Sequence, residues 1–289
     1  MAEILFGLGD IGATETRVVI MDEHFFPHGE ANYQTNPADY VASVEAIADK
    51  MQELAGSREL AAASIAVAAQ MDDKGNLIGA GGLSPWLGNN LGEDAAVALG
   101  LPYDLVGAPN DAEAIGLSQQ AINRRNRRRA LGVASTLSSG WGGSLYTPDG
   151  RVYPREPGHD HLREGAMCPC GKPGCAEAFI SGNGVLLNHD TPMKEWLKEP
   201  SNAKQFVMDG AMAVANFVCS ERSAGVDLEE FRWTGGVALN QYVLMNAITQ
   251  QVPYLLGDRH TPAFDVVTMG PKAGLHGTFV DAQRRLAAA

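Results

Sequence analysis

Apolar positions in this chain gather in short clustered runs that alternate with longer stretches of helical spacing. Residues 4–22, ILFGLGDIGATETRVVIMD, are apolar at both ends and rich in glycine at the centre. That pattern predicts two buried strands joined by a turn in which backbone can approach a ligand. NPADYVASVEAIADKMQELAGS places Val41, Val44, Ile47 and Met51 on one side of a helix ended by Gly56. ELAAASIAVAAQ predicts a short buried strand, and DDKGNLIG a turn into another extended piece. LGEDAAVALGLP predicts a helix closed by Gly100, with a strand following in YDLVGAP.

NDAEAIGLSQQAINRRNRRRA opens on an Asn-Asp start signal and continues with helical spacing. ALGVASTLSSGWGGSLYT predicts a strand, a glycine-serine turn and a second strand. The middle third is loop-rich through CPCGKPGC, after which helical spacing returns around SNAKQFVMDGAMAVANFVCSERS. FRWTGGVALN reads as a strand passing through a glycine turn into a helix, and the last 26 residues as a strand, a glycine break and a terminal helix. Strands alternating with helices predict an α/β protein of two related lobes. The turns at residues 7–14 and 138–143 look like two copies of one device, each joining two strands and offering backbone N–H groups to an anion. One such turn per lobe suits a bound nucleotide, although each turn alone has an ordinary structural reading.

Composition narrows the picture. The 289 residues carry a formal charge of −12 and are 45% hydrophobic. This balance argues against a general nucleic-acid or anionic-membrane binder. No apolar run approaches the ~18 residues of a membrane span. The first residues lack a basic segment ahead of an apolar one, so a cytoplasmic protein with reduced thiols is expected.

In that setting the segment CPCGKPGCAE, residues 168–177, asks for an explanation: it holds three of the four cysteines. A disulfide staple and a metal knuckle both fit such clustering. A reducing compartment and the close spacing of Cys168 and Cys170 disfavour the staple. Cys168, Cys170 and Cys175 with His159 form a one-histidine, three-thiolate set of the kind that binds zinc tetrahedrally, with His161 a rival for the fourth place. Gly171 and Gly174 let the chain fold tightly enough for the sulfurs to converge. Four protein ligands would make such a zinc structural, because a catalytic one keeps an open position.

With Glu156-Pro157-Gly158-His159 ahead of it, the Cys-x-Cys-Gly-x-x-Gly-Cys-x-Glu run resembles the signature of the ROK family of repressors, open reading frames and sugar kinases. GDIGATETR resembles the family's Asp-x-Gly-Gly-Thr phosphate loop, NDAEA its catalytic Asn-Asp-Ala-Asn, and SSGWGGS its second phosphate loop. TGGV resembles the adenosine-side glycine turn and AGLHGT the Ala-Gly-x-x-Gly near the family's carboxyl end. The resemblance covers nearly the whole chain.

It implies a two-lobed actin-like ATPase (ribonuclease H-like) fold with an active cleft between the lobes and a zinc knuckle in the larger one. Residues 1–110 with about 276–289 would form the small lobe, and 111–275 the large lobe. It further implies ATP-dependent phosphorylation of a hexose at the 6-hydroxyl. Glucose is the default acceptor, with fructose, mannose or an N-acetylhexosamine as alternatives. Asp111 matches the general base, although an Asp in this context also reads as a helix cap. Asn110, Asp111, Glu156, His159 and Glu177 match the sugar-binding positions. Asp10 matches the Mg²⁺-associated acid; Gly12, Thr14, Ser139, Gly140, Gly142 and Gly143 match the phosphate loops, and Gly235 and Gly236 the nucleoside side. Family members are commonly homodimers.

A sugar-responsive repressor is a competing reading, but the phosphate-loop strand begins by about Ile4, which leaves no place for a helix-turn-helix. A catalytically silent sugar sensor is another, opposed by Asp10, Thr14 and Asp111. The chain also departs from the family pattern. Ala13 replaces a glycine, Glu15 stands where lysine or a neutral residue is usual, Ser138 and Ser139 replace Gly-Thr, Ala69 and Gln70 interrupt a Pro-Gly-like turn, and Gly82 stands where asparagine is frequent. Glu15 puts negative charge beside an expected polyphosphate, and the changes at 69, 70 and 82 leave the sugar open. The arginine run at 124–129 reads as a solvated helix end, and Trp86, Trp141 and Trp233 as packing residues.

Overall fold

The computed structural model describes residues 3–79, 81–257 and 260–289. The chain divides into two compact units, residues 1–121 with 272–289, and residues 122–271.

The first unit is built on β1 (Leu5–Ile11), β2 (Glu15–Asp22), β3 (Pro27–Gln34), α1 (Tyr40–Ala55), β4 (Leu60–Val67), β5 (Gln70–Met71), β6 (Leu77–Gly79), α2 (Leu91–Leu99), β7 (Val106–Gly107) and α3 (Asp111–Arg125), together with the terminal helix Ala273–Ala288. Its five-stranded sheet runs β3-β2-β1-β4-β7. β1, β2 and β3 form an antiparallel meander, and β4 and β7 extend it in parallel. Alternate residues of β1 serve opposite faces, as the twofold period of a strand requires. Leu5 and Ile11 join the core under α1 and α2, while Phe6 and Leu8 pack with Leu275 and Phe279 of the terminal helix. Each fully buried Leu or Ile contributes about 1.5–3 kcal/mol, so a sheet covered on both sides is well stabilised. Gly7 lets α1 lie close: a Cβ there would stand 2.8 Å from Met51 Sδ.

Two local expectations change. Val41 is 61% exposed, because the apolar arc of α1 starts at Tyr40 and continues through Val44, Ile47 and Met51. YDLVGAP forms only the short β7, preceded by a 3-10 turn at Tyr103–Leu105. β3 was not foreseen. PHGEANYQ is polar on both faces because it is an edge strand, so it lacks the apolar alternation by which strands are recognised.

The second unit contains β8 (Gly132–Leu137), β9 (Trp141–Tyr146), β10 (Val152–Arg155), α4 (Glu177–Ile180), α5 (Gly182–His189), α6 (Met193–Trp196), α7 (Pro200–Ser223), β11 (Glu230–Thr234), α8 (Gly236–Asn240), α9 (Tyr242–Leu256) and β12 (Ala263–Val266). Its sheet order, β10-β9-β8-β11-β12, repeats that of the first unit: an antiparallel meander extended by two parallel strands. α7 and α9 approach closely where Gly210 meets Ile248, over a core that includes Val133, Trp141, Phe206 and Phe231.

Buried Glu230 accepts hydrogen bonds from Tyr146 Oη at 2.8 Å and Asn123 Nδ2 at 3.1 Å, and pairs with Arg232 and Arg128. Burial would raise its carboxyl, but these partners outweigh burial and hold it below its ordinary value. One arginine of the basic run therefore serves this network. Among the described residues no helix is long and apolar enough to cross a membrane.

Candidate active site

In the first unit the expected residues gather at the carboxyl ends of adjoining strands. Ile11 of β1 is paired in parallel with Val67 of β4, and Val67 bridges Asn110 just ahead of α3. Asp10 and Asp111 thus flank the two ends of a single row, in the position where open α/β sheets place their ligands.

The turn between β1 and β2 is tight, with the Gly12 amide donating to Glu15 O at 2.9 Å. Thr35 fastens it from below. Its amide donates to Thr14 O at 3.1 Å, its hydroxyl donates to Gly12 O at 2.8 Å, and it meets Thr16 Oγ1 at 2.8 Å. Thr14 stands exposed near the tip. Behind the turn Asp10 faces Arg17 across the ladder. Burial pushes the Asp10 carboxyl above its usual range, and the Arg17 guanidinium partly opposes this.

Two departures from the family pattern meet here. A Cβ on Gly82 would lie only 2.7 Å from the Ala13 methyl, so the extra carbon at one position occupies the space of a side chain at the other.

Asn110 and Asp111 begin α3. Asn110 Oδ1 accepts from the Ala112 amide at 2.9 Å, and Glu113 Oε2 accepts from the Asn110 amide at 3.1 Å. This reciprocal capping box was legible in the Asn-x-x-Glu spacing, although Glu113 was overlooked. Burial raises the Glu113 carboxyl, the Asn110 amide opposes that, and Asp281 adds to it. Asp111 Oδ1 accepts from the Ala112 amide at 2.8 Å. Asn110 Nδ2 donates to Ala69 O at 2.9 Å, tying the helix start to the residue before Gln70. The two glycines of AGLHGT let the terminal helix settle against this corner. Gly277 is pressed onto Ala114 of α3, and a Cβ on Gly274 would stand 3.6 Å from Asp10 Oδ2.

The second unit gathers the remaining candidates around the β8–β9 turn. Ser138 donates its amide to Gly140 O at 2.8 Å, and the carbonyls of Ser138 and Ser139 accept from Gly182 and Asn183 at 2.9 and 2.8 Å. Gly142 and Gly143 lie in β9 opposite Thr136 and Ser135. Gly235, at φ 95°, is pressed against Leu137, where a Cβ would meet a carbonyl oxygen at 2.4 Å, so only glycine fits. Gly236 begins α8 beside Ser138 Oγ. Trp141 stacks on Trp233 at 6.2 Å and donates Nε1–H to Ser135 Oγ at 2.7 Å, which agrees with its packing role.

Glu177 is buried, and its Oε2 accepts the Trp141 amide at 2.9 Å. The carboxylate at the end of the cysteine run therefore supports the second turn, a task the sequence did not announce. Glu156 precedes the turn Pro157–His159, and its carbonyl accepts the His159 amide at 3.0 Å.

The donor atoms of His159, Cys168, Cys170 and Cys175 all lie within 4.8 Å of one another. Cys170 and Cys175 sulfurs are 3.8 Å apart, and Cys168 Sγ stands 3.9 Å from His159 Nδ1. Metal–sulfur bonds of about 2.3 Å in a tetrahedron put sulfurs about 3.8 Å apart, so the four atoms can hold a metal ion. His161 lies outside the group, with Nε2 3.2 Å from Glu164. Arg163, also unforeseen, anchors this loop: it grips buried Asp209 of α7 with two hydrogen bonds of 2.9 and 2.8 Å and lies 4.0 Å over the Phe179 ring.

Compared with known proteins, the chain matches the sequence profile of the ROK family over residues 7–285. It belongs to that family. An N-acetylmannosamine kinase of Vibrio cholerae is 27% identical over 156 residues, which cover 47% of this chain and 54% of that relative. The aligned part thus spans about half the length of the curated relatives the chain matches. Among solved structures, a ROK hexokinase from Thermus thermophilus superposes with a TM-score of 0.74 at 20% identity, covering all of both chains. A ROK family glucokinase from Streptomyces griseus, solved with glucose and AMPPNP, gives 0.72 at 21% identity over 96% of this chain and 98% of the other. At such identities these likenesses establish the ROK fold.

Proposed function

We propose that this ROK protein is an ATP-dependent hexose kinase acting on the 6-hydroxyl, with Asp111 as its general base. One observation carries the reading: Asp10 and Asp111 stand at the ends of the Ile11–Val67–Asn110 row, on adjoining strand ends. Phosphoryl transfer needs little else from protein side chains than positioning, a proton acceptor and charge neutralisation.

In this reading Asp111 takes the proton of the sugar hydroxyl as its oxygen attacks the γ-phosphorus, and ADP leaves. The capping box built from Asn110 and Glu113 fixes the backbone from which Asp111 projects. Asp10 would hold Mg²⁺, which neutralises phosphate charge when bound. Thr14, Ser139, Gly140, Gly142 and Gly143 would border the phosphates, and Gly235 and Gly236 the nucleoside. Gly12 shapes the first turn, since its own amide is engaged there. Asn110, Glu156, His159 and Glu177 would bind sugar hydroxyls. His159, Cys168, Cys170 and Cys175 would hold zinc as a structural ion that fixes the loop.

Glucose is the first candidate acceptor. N-acetylmannosamine gains weight from the named activity of the Vibrio cholerae relatives, and fructose and mannose complete the set. A sugar-binding regulator without activity is the second reading, favoured by the unusual Glu15. The test is Mg²⁺- and ATP-dependent ADP release across these sugars, with the phosphate located in the product by phosphorus NMR. Turnover on one sugar with a 6-phosphate product supports the reading. Folded, zinc-loaded protein that turns over none of them overturns it in favour of the regulator.

A further inference from the structure

The segment that carries Glu156 and His159 is gripped at its entrance by an ion pair between Arg155 and Glu221. β10 is an edge strand, and its ladder with β9 ends where Arg155 faces Gly143. Glu156 follows at once, outside that ladder, and leads into the short turn Pro157–His159. Beyond the turn the backbone is fixed again, where the Ala176 amide donates to Asp160 O at 2.9 Å. At the near end the fixing group is a side chain. Arg155 Nε donates to Glu221 Oε1 at 2.7 Å, while its Nη1 donates to Pro154 O at 3.0 Å. Glu221 stands in the last turn of α7, and α7 packs against the turn Pro157–His159.

This is a costly place for a carboxylate. Glu221 is 9% exposed, it lies at the negative end of the α7 dipole, and its Oε2 is buried without a hydrogen-bond partner. Apolar side chains of similar volume would serve stability as well, because a buried ion pair gains little over them. What the pair supplies instead is direction. The guanidinium is planar and is bonded both to Glu221 and to the backbone of Pro154, so the strand end that leads into Glu156 is held in one place.

We propose that Arg155 and Glu221 are positioning residues for sugar binding, fixing the strand end from which Glu156 and His159 are presented to the acceptor. The proposal rests on the kinase reading above, through the sugar-binding roles given there to Glu156 and His159. Arg155 and Glu221 act through those two residues, not on the sugar itself. A turn ordered in advance spares binding the cost of ordering it. The pair therefore acts on acceptor affinity and leaves ATP affinity as it is.

The experiment is titration calorimetry of the full chain with glucose, mannose, fructose and N-acetylmannosamine, and with Mg-ATP, alongside steady-state kinetics. Arg155→Ala should weaken binding of the accepted sugar by about 10- to 100-fold, the usual loss when an outer support of a binding residue is removed. The KM for that sugar should rise similarly, with Mg-ATP binding and the KM for ATP unchanged, and Arg155→Lys should recover part of the loss. Arg155→Ala leaves the Glu221 charge buried alone, so a double variant separates positioning from stability. Arg155→Met with Glu221→Met removes both charges at similar volume and should melt at or above the wild-type temperature. It should still bind the sugar about 10-fold more weakly. Wild-type sugar affinity in the double variant overturns the proposal, since the pair then serves stability alone. A loss that falls equally on sugar and Mg-ATP overturns it too. A protein that binds a sugar, loses affinity in the double variant and yet transfers no phosphate would leave this assignment standing while the kinase reading falls. A wild-type protein that binds none of the four sugars overturns both.

Discussion

The two glycine turns share a topology but not a means of support. Each lies between the first two strands of a meander, and the two sheets have the same order. The β1–β2 turn is held from within its own sheet by Thr35, which clasps Gly12 and Thr14. It also carries charge close by, in Asp10, Glu15 and Arg17. The β8–β9 turn has no charged residue between Ser138 and Gly143. It is held from outside, by Gly182, Asn183 and the Glu177 carboxylate at the end of the cysteine run. One turn is therefore built into its sheet, while the other depends on a loop that carries the cluster of His159, Cys168, Cys170 and Cys175 and the Arg163–Asp209 clamp. The same backbone device can thus be stabilised locally or remotely, and only the remote version would respond to a metal held by that cluster.

Removing the zinc proposed for this cluster should separate the two most sharply. Chelation, or Cys175→Ser, should lower activity on the order of 10- to 100-fold, in line with lost outer supports at metal sites. Hydrogen exchange should quicken at residues 138–143 and stay unchanged at 10–16; equal quickening in both would erase the distinction. Next in size, Glu177→Ala leaves the Trp141 amide unpaired in a buried place and should cost about 1–3 kcal/mol in denaturant unfolding. Thr35→Val removes hydroxyl bonds on the first turn only and should cost about 1 kcal/mol, with exchange rising at Gly12 but not at Ser138.

A subtler effect concerns Gly82. Gly82→Ala should destabilise by about 1 kcal/mol through its 2.7 Å approach to the Ala13 methyl, and the Ala13→Gly background should remove that penalty. An additive double mutant would show that the two positions are independent.

The smallest effect is a pH signature of the first turn. Because burial raises the Asp10 carboxyl, its ionised form opposes folding, and that penalty is complete only above the raised value. Asp10→Asn should therefore melt at a higher temperature than wild type at neutral pH. The gain should shrink as pH falls through the raised value and vanish below the ordinary carboxylate range.

Much of this was legible in the sequence because it rests on local rules. The strand–glycine–strand runs appear as β1–β2 and β8–β9, and the Asn-Asp signal does begin α3. The cysteine spacing anticipated the cluster that forms with His159, because glycines at 171 and 174 permit a tight loop. What was missed depends on distant partners. β3 has no apolar stripe to betray it, since an edge strand with two polar faces resembles a loop. Thr35 and Arg163 acquire their roles only when separate chain segments meet. Glu177 could be matched to a motif, but its bond to the Trp141 amide spans 36 residues. Ala13 and Gly82 each looked like a separate departure until the fold put them in contact.

The central claim is that Asp111 removes the proton of the attacking sugar hydroxyl. Its most direct test is single-turnover transfer from Mg-ATP to the preferred sugar, comparing wild type with Asp111→Asn, which keeps an acceptor oxygen for the Ala112 amide and so preserves the helix start. The account predicts a rate lower by about 10²- to 10⁴-fold, with unchanged melting and nearly unchanged binding of sugar and ATP. A variant that transfers phosphate at the wild-type rate would contradict it.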